Sequence, residues 1–217
     1  MTAGRDARVV RELVGTHGRT YAEEAGIELT DAPQPLYRLL VLAHLLSARI
    51  RGSVAVATAR ALHEAGLRDP RRMAGATWQA RVDALGRGGY RRYDERTATQ
   101  LGVAAETLNA RWGGDLRRLR AEADGAVPGL RGLLQEFPGV GPTGADIFLR
   151  EVQRVWPEAA PYLDRKALQG AARLGLPEDP DRLLAAAGGT DPAVLAAALV
   201  RASLDKKVAE DALRRAG

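Results

Sequence analysis

Apolar residues recur along this chain at the three- and four-residue spacing of a helix, and alternating β-branched runs are few. Gly, Pro and Asp punctuate the pattern. Residues 5–25 predict an amphipathic first helix. Pro33 and Pro35 open a second over 36–48, apolar on almost every side and therefore expected at the centre of the core. Further helices are expected over 54–65, over 69–74, and from a cap at Thr77 through Leu85. After the glycine break Gly86-Arg87-Gly88-Gly89, a longer one spans 93–112. Residues 130–136 read as a short helix and 145–155 as another, followed by an extended crossing at Pro157 and Pro161. Asp164 is positioned to cap a helix over 165–174. Helices over 179–187 and 191–216 complete the chain, the last interrupted around 203–207. The expected fold class is all-α, with no internal repeat or low-complexity linker.

One stretch departs from plain helical punctuation: Phe137-Pro138-Gly139-Val140-Gly141-Pro142-Thr143-Gly144-Ala145-Asp146. Its glycines spell G-x-G-x-x-G, a dinucleotide-binding pattern that has meaning only after a β-strand. Here a helix precedes it and Pro138 stands where the strand would continue, so the context argues against that reading. The other reading is a tight turn between two helices. Glycine supplies positive φ there and leaves room for a phosphate to approach backbone N–H groups.

Composition narrows the chemistry. At 217 residues the chain fits one large domain or two small lobes. A net charge of +5 and a pI near 9.9 favour a polyanionic partner. Nearly all the positive charge is arginine, with lysine only at Lys166, Lys206 and Lys207. Arginine suits phosphate contacts, although a solvated basic surface or a biased composition gives the same count. The absence of cysteine excludes disulfides, thiolate catalysis and cysteine-ligated clusters. His17, His44 and His63 lack metal-site spacing, so neither metal nor cofactor is expected. No apolar run is long enough to span a membrane, and the charged N-terminus is unlike a secretory signal. The expectation is a cytoplasmic, nucleoid-associated protein.

Four stretches resemble the helix-hairpin-helix (HhH-GPD) DNA glycosylases, the superfamily of endonuclease III and adenine glycosylase. Leu45-Leu46-Ser47-Ala48-Arg49 is similar to the family's L-L-S-A/Q-Q segment, and Gly88 to Tyr93 to its G-x-Y/F turn. Phe137 to Ala145 resembles the L-P-G-V-G hairpin. Tyr162-Leu163-Asp164 resembles the V/L-D segment that bears the catalytic aspartate. The likeness covers roughly residues 30–205. It implies a single unit of two interleaved helical lobes: a central lobe near 36–135, the hairpin and catalytic segment near 136–166, and a second lobe from 1–35 with 167–217. The implied partner is double-stranded DNA with a damaged or mismatched base, bound by a monomer with no membrane involved.

The resemblance also distributes roles. Cleaving an N-glycosidic bond builds positive charge on the sugar, which a carboxylate stabilises while helping water attack; that role falls to Asp164. Pro138, Gly139, Val140, Gly141 and Thr143 would hold DNA, with Lys166 as a phosphate contact. Arg91, Arg92, Arg150 and Arg165 would form a basic rim. Arg49 stands where the family inserts a glutamine into the vacated base stack, and phosphate contact is an equal alternative for it. His44 and Tyr162 are candidate base-pocket groups, His44 being equally a core histidine. Tyr90, Tyr93 and Trp78 are either stacking groups or core.

Departures from the family pattern refine the chemistry. Bifunctional members carry a lysine where this chain has Thr143, and a hydroxyl cannot form an imine, so hydrolysis without lyase activity is expected. Lys166 is the sole nearby amine, and its helical position turns it away from Asp164. No Asp or Glu lies between Asp31 and Glu64, where adenine-removing members keep a general acid. A base that leaves readily, alkylated or deaminated, fits that gap. Without cysteine there is no C-terminal iron–sulfur cluster, and helix packing over 190–216 must close that region. Two alternatives stay open: a non-catalytic helix-hairpin-helix DNA-binding protein, and a helical protein-interaction domain.

Overall fold

The computed structural model describes residues 2–217, and among them it contains fourteen α-helices, one 3-10 turn and no strand. In order these are α1 (Thr2–His17), α2 (Tyr21–Glu24), α3 (Pro33–Ser47), α4 (Gly52–Glu64), α5 (Pro70–Gly75), α6 (Trp78–Arg87), α7 (Asp94–Trp112), α8 (Leu116–Glu122), α9 (Val127–Leu134), α10 (Pro142–Val152), α11 (Arg165–Arg173), α12 (Pro180–Ala187), α13 (Pro192–Leu204) and α14 (Lys206–Ala216). The 3-10 turn lies at Pro157–Ala159. The fold class is all-α, as the periodicity predicts.

Aspartate starts many of these helices. Asp69, Asp115, Asp164, Asp179, Asp191 and Asp205 each accept a first-turn backbone N–H, and Thr77 does so for α6. Such a cap contributes about 1 kcal/mol by satisfying a donor that the helix leaves unpaired. Pro70, Pro180 and Pro192 follow three of these caps, at the position where a missing N–H costs nothing.

Several expected bounds move. The first helix ends at His17, where Gly18 packs so closely that an added Cβ would lie 2.5 Å from the Val14 carbonyl oxygen. α10 begins three residues early because Pro142 suits the first helical turn. The proline crossing is not wholly extended, since Pro157 opens the 3-10 turn. α8 was not predicted: it starts three residues after the left-handed Gly113 and is only seven residues long.

The chain forms two compact units, one of residues 22–149, the other joining the segment up to Tyr21 to residues 150–217. These cuts differ from the expected bounds at 35/36, 135/136 and 166/167. The second cut falls inside α10, so no linker marks it in the sequence.

In the 22–149 unit, α3 is buried at Leu36, Tyr37 and throughout residues 39–45. It packs on α4 and α8; α4 packs on α6, and α7 on α5, α6 and α8. Each fully buried leucine there contributes about 1.5–3 kcal/mol relative to exposure. In the other unit, α13 packs against α11, α1, α12 and α14. Its buried alanines permit close approach: a Cβ added at Gly170 of α11 would lie 1.9 Å from the Leu199 carbonyl oxygen.

Candidate functional site

Residues 135–141 join α9 to α10. Phe137 and Val140 are buried and anchor the turn; the Phe137 ring lies 5.4 Å from that of Trp112, and the Val140 N–H donates to the Phe137 carbonyl at 3.0 Å. Arg131 and Asp146 pair at 2.7 Å and tie α9 to α10. Gly139 adopts φ +85°, and an added Cβ would lie 2.4 Å from His44 Cε1 and 2.9 Å from Gln100 Oε1. Two independent constraints therefore require glycine here.

Gly141 differs. It lacks positive φ, and a Cβ there would meet nothing within 4 Å. The expected shared φ requirement thus belongs to Gly139 alone, while Gly141 keeps an outer edge open. The Ala145 N–H donates to the Gly141 carbonyl at 3.0 Å. The N–H groups of Thr143 and Gly144 precede it in the first turn of α10, where no intrahelical acceptor exists. That end attracts an anion through its dipole and its donors. Thr143 is exposed and Pro138 half-buried.

The far end of α10 carries buried Arg150 and Glu151, and buried Gln153 follows just beyond it. Arg150 Nη1 donates to Asp164 Oδ2 at 2.6 Å, with the two side chains 8% and 9% exposed. Asp164 Oδ1 accepts the Ala167 N–H at 3.0 Å, so both carboxylate oxygens are engaged. Gln153 brackets Tyr162: its Oε1 accepts the Tyr162 N–H at 2.7 Å and its Nε2 donates to the Tyr162 carbonyl at 3.2 Å. Glu151 Oε1 accepts the Tyr21 N–H at 3.2 Å. Arg150 at the end of α10 and Gln153 just after it thereby fix the carboxylate of Asp164 and the backbone of Tyr162.

Arg150 is accordingly not part of a basic rim. It is a buried counter-ion, because the end of α10 turns its polar residues inward. The sequence signal was available in Arg150-Glu151-Val152-Gln153-Arg154, a polar run directly after apolar residues 147–149. Arg165 is exposed, and half-buried Lys166 sets Nζ 3.4 Å from Gln169 Oε1.

Within the 22–149 unit, His44, Ser47, Arg49, Tyr93, Arg96 and Gln100 line an open cleft of about 370 Å³. Burial pushes the His44 imidazole down to about 4, outweighing the Gln100 side chain, which favours the proton. His44 is thus neutral at pH 7, and it is both a packed side chain under Gly139 and a wall of the cleft. Tyr90 is 2% exposed with its hydroxyl 3.1 Å from Thr97 Oγ1, which makes it the floor rather than a stacking surface. Tyr93 is exposed, with the Arg92 guanidinium 5.2 Å from its ring centre. Trp78 lies outside this lining and donates to Thr99 at 3.1 Å.

Arg49 is exposed and also edges a neighbouring cleft of about 580 Å³ with Arg51, Arg91 and Arg92. Sequence reading missed Arg96 and Gln100. Their signal was the spacing of Tyr93, Arg96 and Gln100, three and four residues apart along one side of α7. His44 and the hairpin belong to one unit, Tyr162 and Asp164 to the other. Among the described residues no group of three or more His, Asp or Glu could hold a metal ion. Among the described residues no single helix is long and apolar enough to cross a membrane.

No protein-family model and no curated protein matches the chain. Among solved structures it is similar to one described as a trapped endonuclease III–DNA covalent intermediate in an estranged-adenine complex. The identity is 16% and the TM-score 0.49, over 89% of this chain and 84% of that one.

Proposed function

We propose that the chain is a monofunctional DNA glycosylase that binds duplex DNA and hydrolyses the N-glycosidic bond of an everted damaged or mismatched base. The observation that carries the reading is the hairpin. Gly139 is held at positive φ against His44, Gly141 leaves an open edge, and the first-turn donors of α10 stand beside it. This combination suits one DNA phosphate. The net charge of +5, almost all of it arginine, supports the same partner.

Asp164 is the proposed catalytic group. As the C1′–N bond breaks, the base leaves with the bonding electrons and the sugar becomes cationic. The carboxylate stabilises that cation, and water adds to C1′ and loses a proton. Thr143 offers no amine for an imine, which supports hydrolysis over β-elimination.

One observation favours a second reading. Arg150 sits 2.6 Å from the Asp164 carboxylate and offsets the negative charge a cationic transition state needs. A non-catalytic DNA-binding protein would carry the same hairpin with Asp164 reduced to a cap and counter-ion.

The test is a panel of duplexes, each with one altered base, assayed for base release and for affinity. Release lost in Asp164→Asn with affinity retained selects the enzyme; binding without any release selects the second reading. Unchanged, salt-insensitive binding in Gly141→Glu sinks both. Borohydride trapping of a covalent adduct overturns the monofunctional assignment and points to Lys166.

A further inference from the structure

We infer that Arg111 is a positioning residue for the hairpin: by joining Glu136, at the head of the turn, to Glu122, at the end of α8, it sets where Gly139, Gly141 and the first turn of α10 meet a DNA phosphate. This rests on the reading of that turn as a DNA-binding hairpin, and adds to it a residue that itself touches no DNA.

Five side chains close a ring around the base of the turn. The Arg111 guanidinium donates to the carboxylates of both Glu136 and Glu122. It also lies 4.3 Å from the centre of the Trp112 ring, whose indole N–H donates to Glu122 at 2.6 Å. Trp112 in turn meets the ring of Phe137, the residue that follows Glu136. The turn is therefore held to the end of α7 twice, once through rings and once through charge. The buried ring contact fixes one point and leaves the turn free to pivot about it. Glu136 supplies the second point, and a planar guanidinium stacked on an indole gives that tie a direction. Gly113 and Gly114, both at positive φ, reverse the chain after Trp112 and bring Glu122 back beside Arg111.

Charge separates this role from a DNA contact. One guanidinium faces two carboxylates, so the cluster is net negative and repels a phosphate. Removing the Glu136 carboxylate would tighten DNA binding if only the field mattered. Losing the tie would weaken it, because a freer turn must be ordered at each binding event. The two effects have opposite signs. Stability should respond little, since the Arg111, Glu122 and Glu136 side chains are 39%, 42% and 45% exposed and such pairs hold little of a fold together.

The experiment measures affinity of the full chain for an unaltered duplex across a salt series, together with melting temperature. Glu136→Ala should bind about tenfold more weakly than wild type although it has lost a negative charge. Glu136→Gln keeps an acceptor for Arg111 and should stay within about threefold of wild type. Arg111→Met should weaken binding with its salt slope unchanged, because no phosphate contact is lost. Melting temperatures should fall by no more than about 4 °C. Glu136→Ala binding as tightly as wild type, or more tightly, overturns the inference. So does a smaller salt slope in Arg111→Met, which would make Arg111 a phosphate contact. Weaker binding that comes with a larger fall in melting temperature also overturns it, because the cluster would then hold the fold and not the turn. A wild-type chain that binds no duplex removes the hairpin reading, and the inference with it.

Discussion

Asp164 and Arg150 bring opposite charges into a space where neither side chain is more than a tenth exposed. Removing one partner of such a pair strands the other charge, at a cost of about 3–5 kcal/mol. Asp164→Asn keeps the helix cap, since asparagine caps as well as aspartate. It should nevertheless lower the unfolding free energy by about 3 kcal/mol, and Arg150→Met combined with it should recover most of that loss. Urea denaturation of the single and double variants measures both; equal losses would mean that the pair is not the cause. His44 gives a pH signature. Folding lowers its pKa from 6.5 to about 4, so below pH 6.5 the unfolded chain holds more protons. This part of the stability is complete above about pH 6.5 and is lost as the pH falls toward 4, with about 2 kcal/mol gone by pH 5. The wild-type stability should therefore fall more between pH 7 and 5 than that of His44→Gln, by that amount. Parallel curves would show a solvated imidazole.

At the scale of elements, the hairpin glycines separate stability from binding. Gly139→Ala meets both positive φ and the His44 ring, and should cost about 2 kcal/mol. Gly141→Ala has open space and ordinary φ, so its stability should stay within about 0.5 kcal/mol of wild type. Thermal melts of the two decide whether the turn is built as described, and equal shifts would contradict it. The α11–α13 crossing makes a parallel prediction. Gly170→Ala drives a methyl against the Leu199 carbonyl and should destabilise by about 1–3 kcal/mol or more. A neutral result in denaturant would mean that the helices move apart freely. Glycine spacing and Asp–Pro starts made most elements legible, because caps are local chemistry. α8 escaped because about two turns of helix between glycines carry too few positions to show a period. The inward turn of α10 at Arg150 escaped for another reason: a polar residue on a helix looks the same in sequence whether it faces water or a counter-ion.

For the molecule as a whole, arginine-dominated charge predicts how duplex binding responds to salt. The logarithm of the affinity should fall linearly with log salt concentration, and Arg49→Ala or Arg91→Ala should each reduce the slope by about one phosphate contact. A flat salt response would remove DNA as the partner. Helical class, the capped starts, the absence of cysteine chemistry and the hairpin segment were all determined by sequence, since each depends on residues near one another along the chain. The hairpin glycines and Asp164 were visible as candidates for that reason. Tertiary structure alone decided what each candidate faces. It set Gly139 on His44 and Gln100, left Gly141 open, joined Tyr93, Arg96 and Gln100 into one wall, and buried Arg150 against Asp164. These are contacts between residues distant in sequence or on unknown helix faces. Periodicity fixes which side of a helix is apolar, but only packing fixes what lies opposite it, and with it whether a charge is solvated, paired or left facing a ligand.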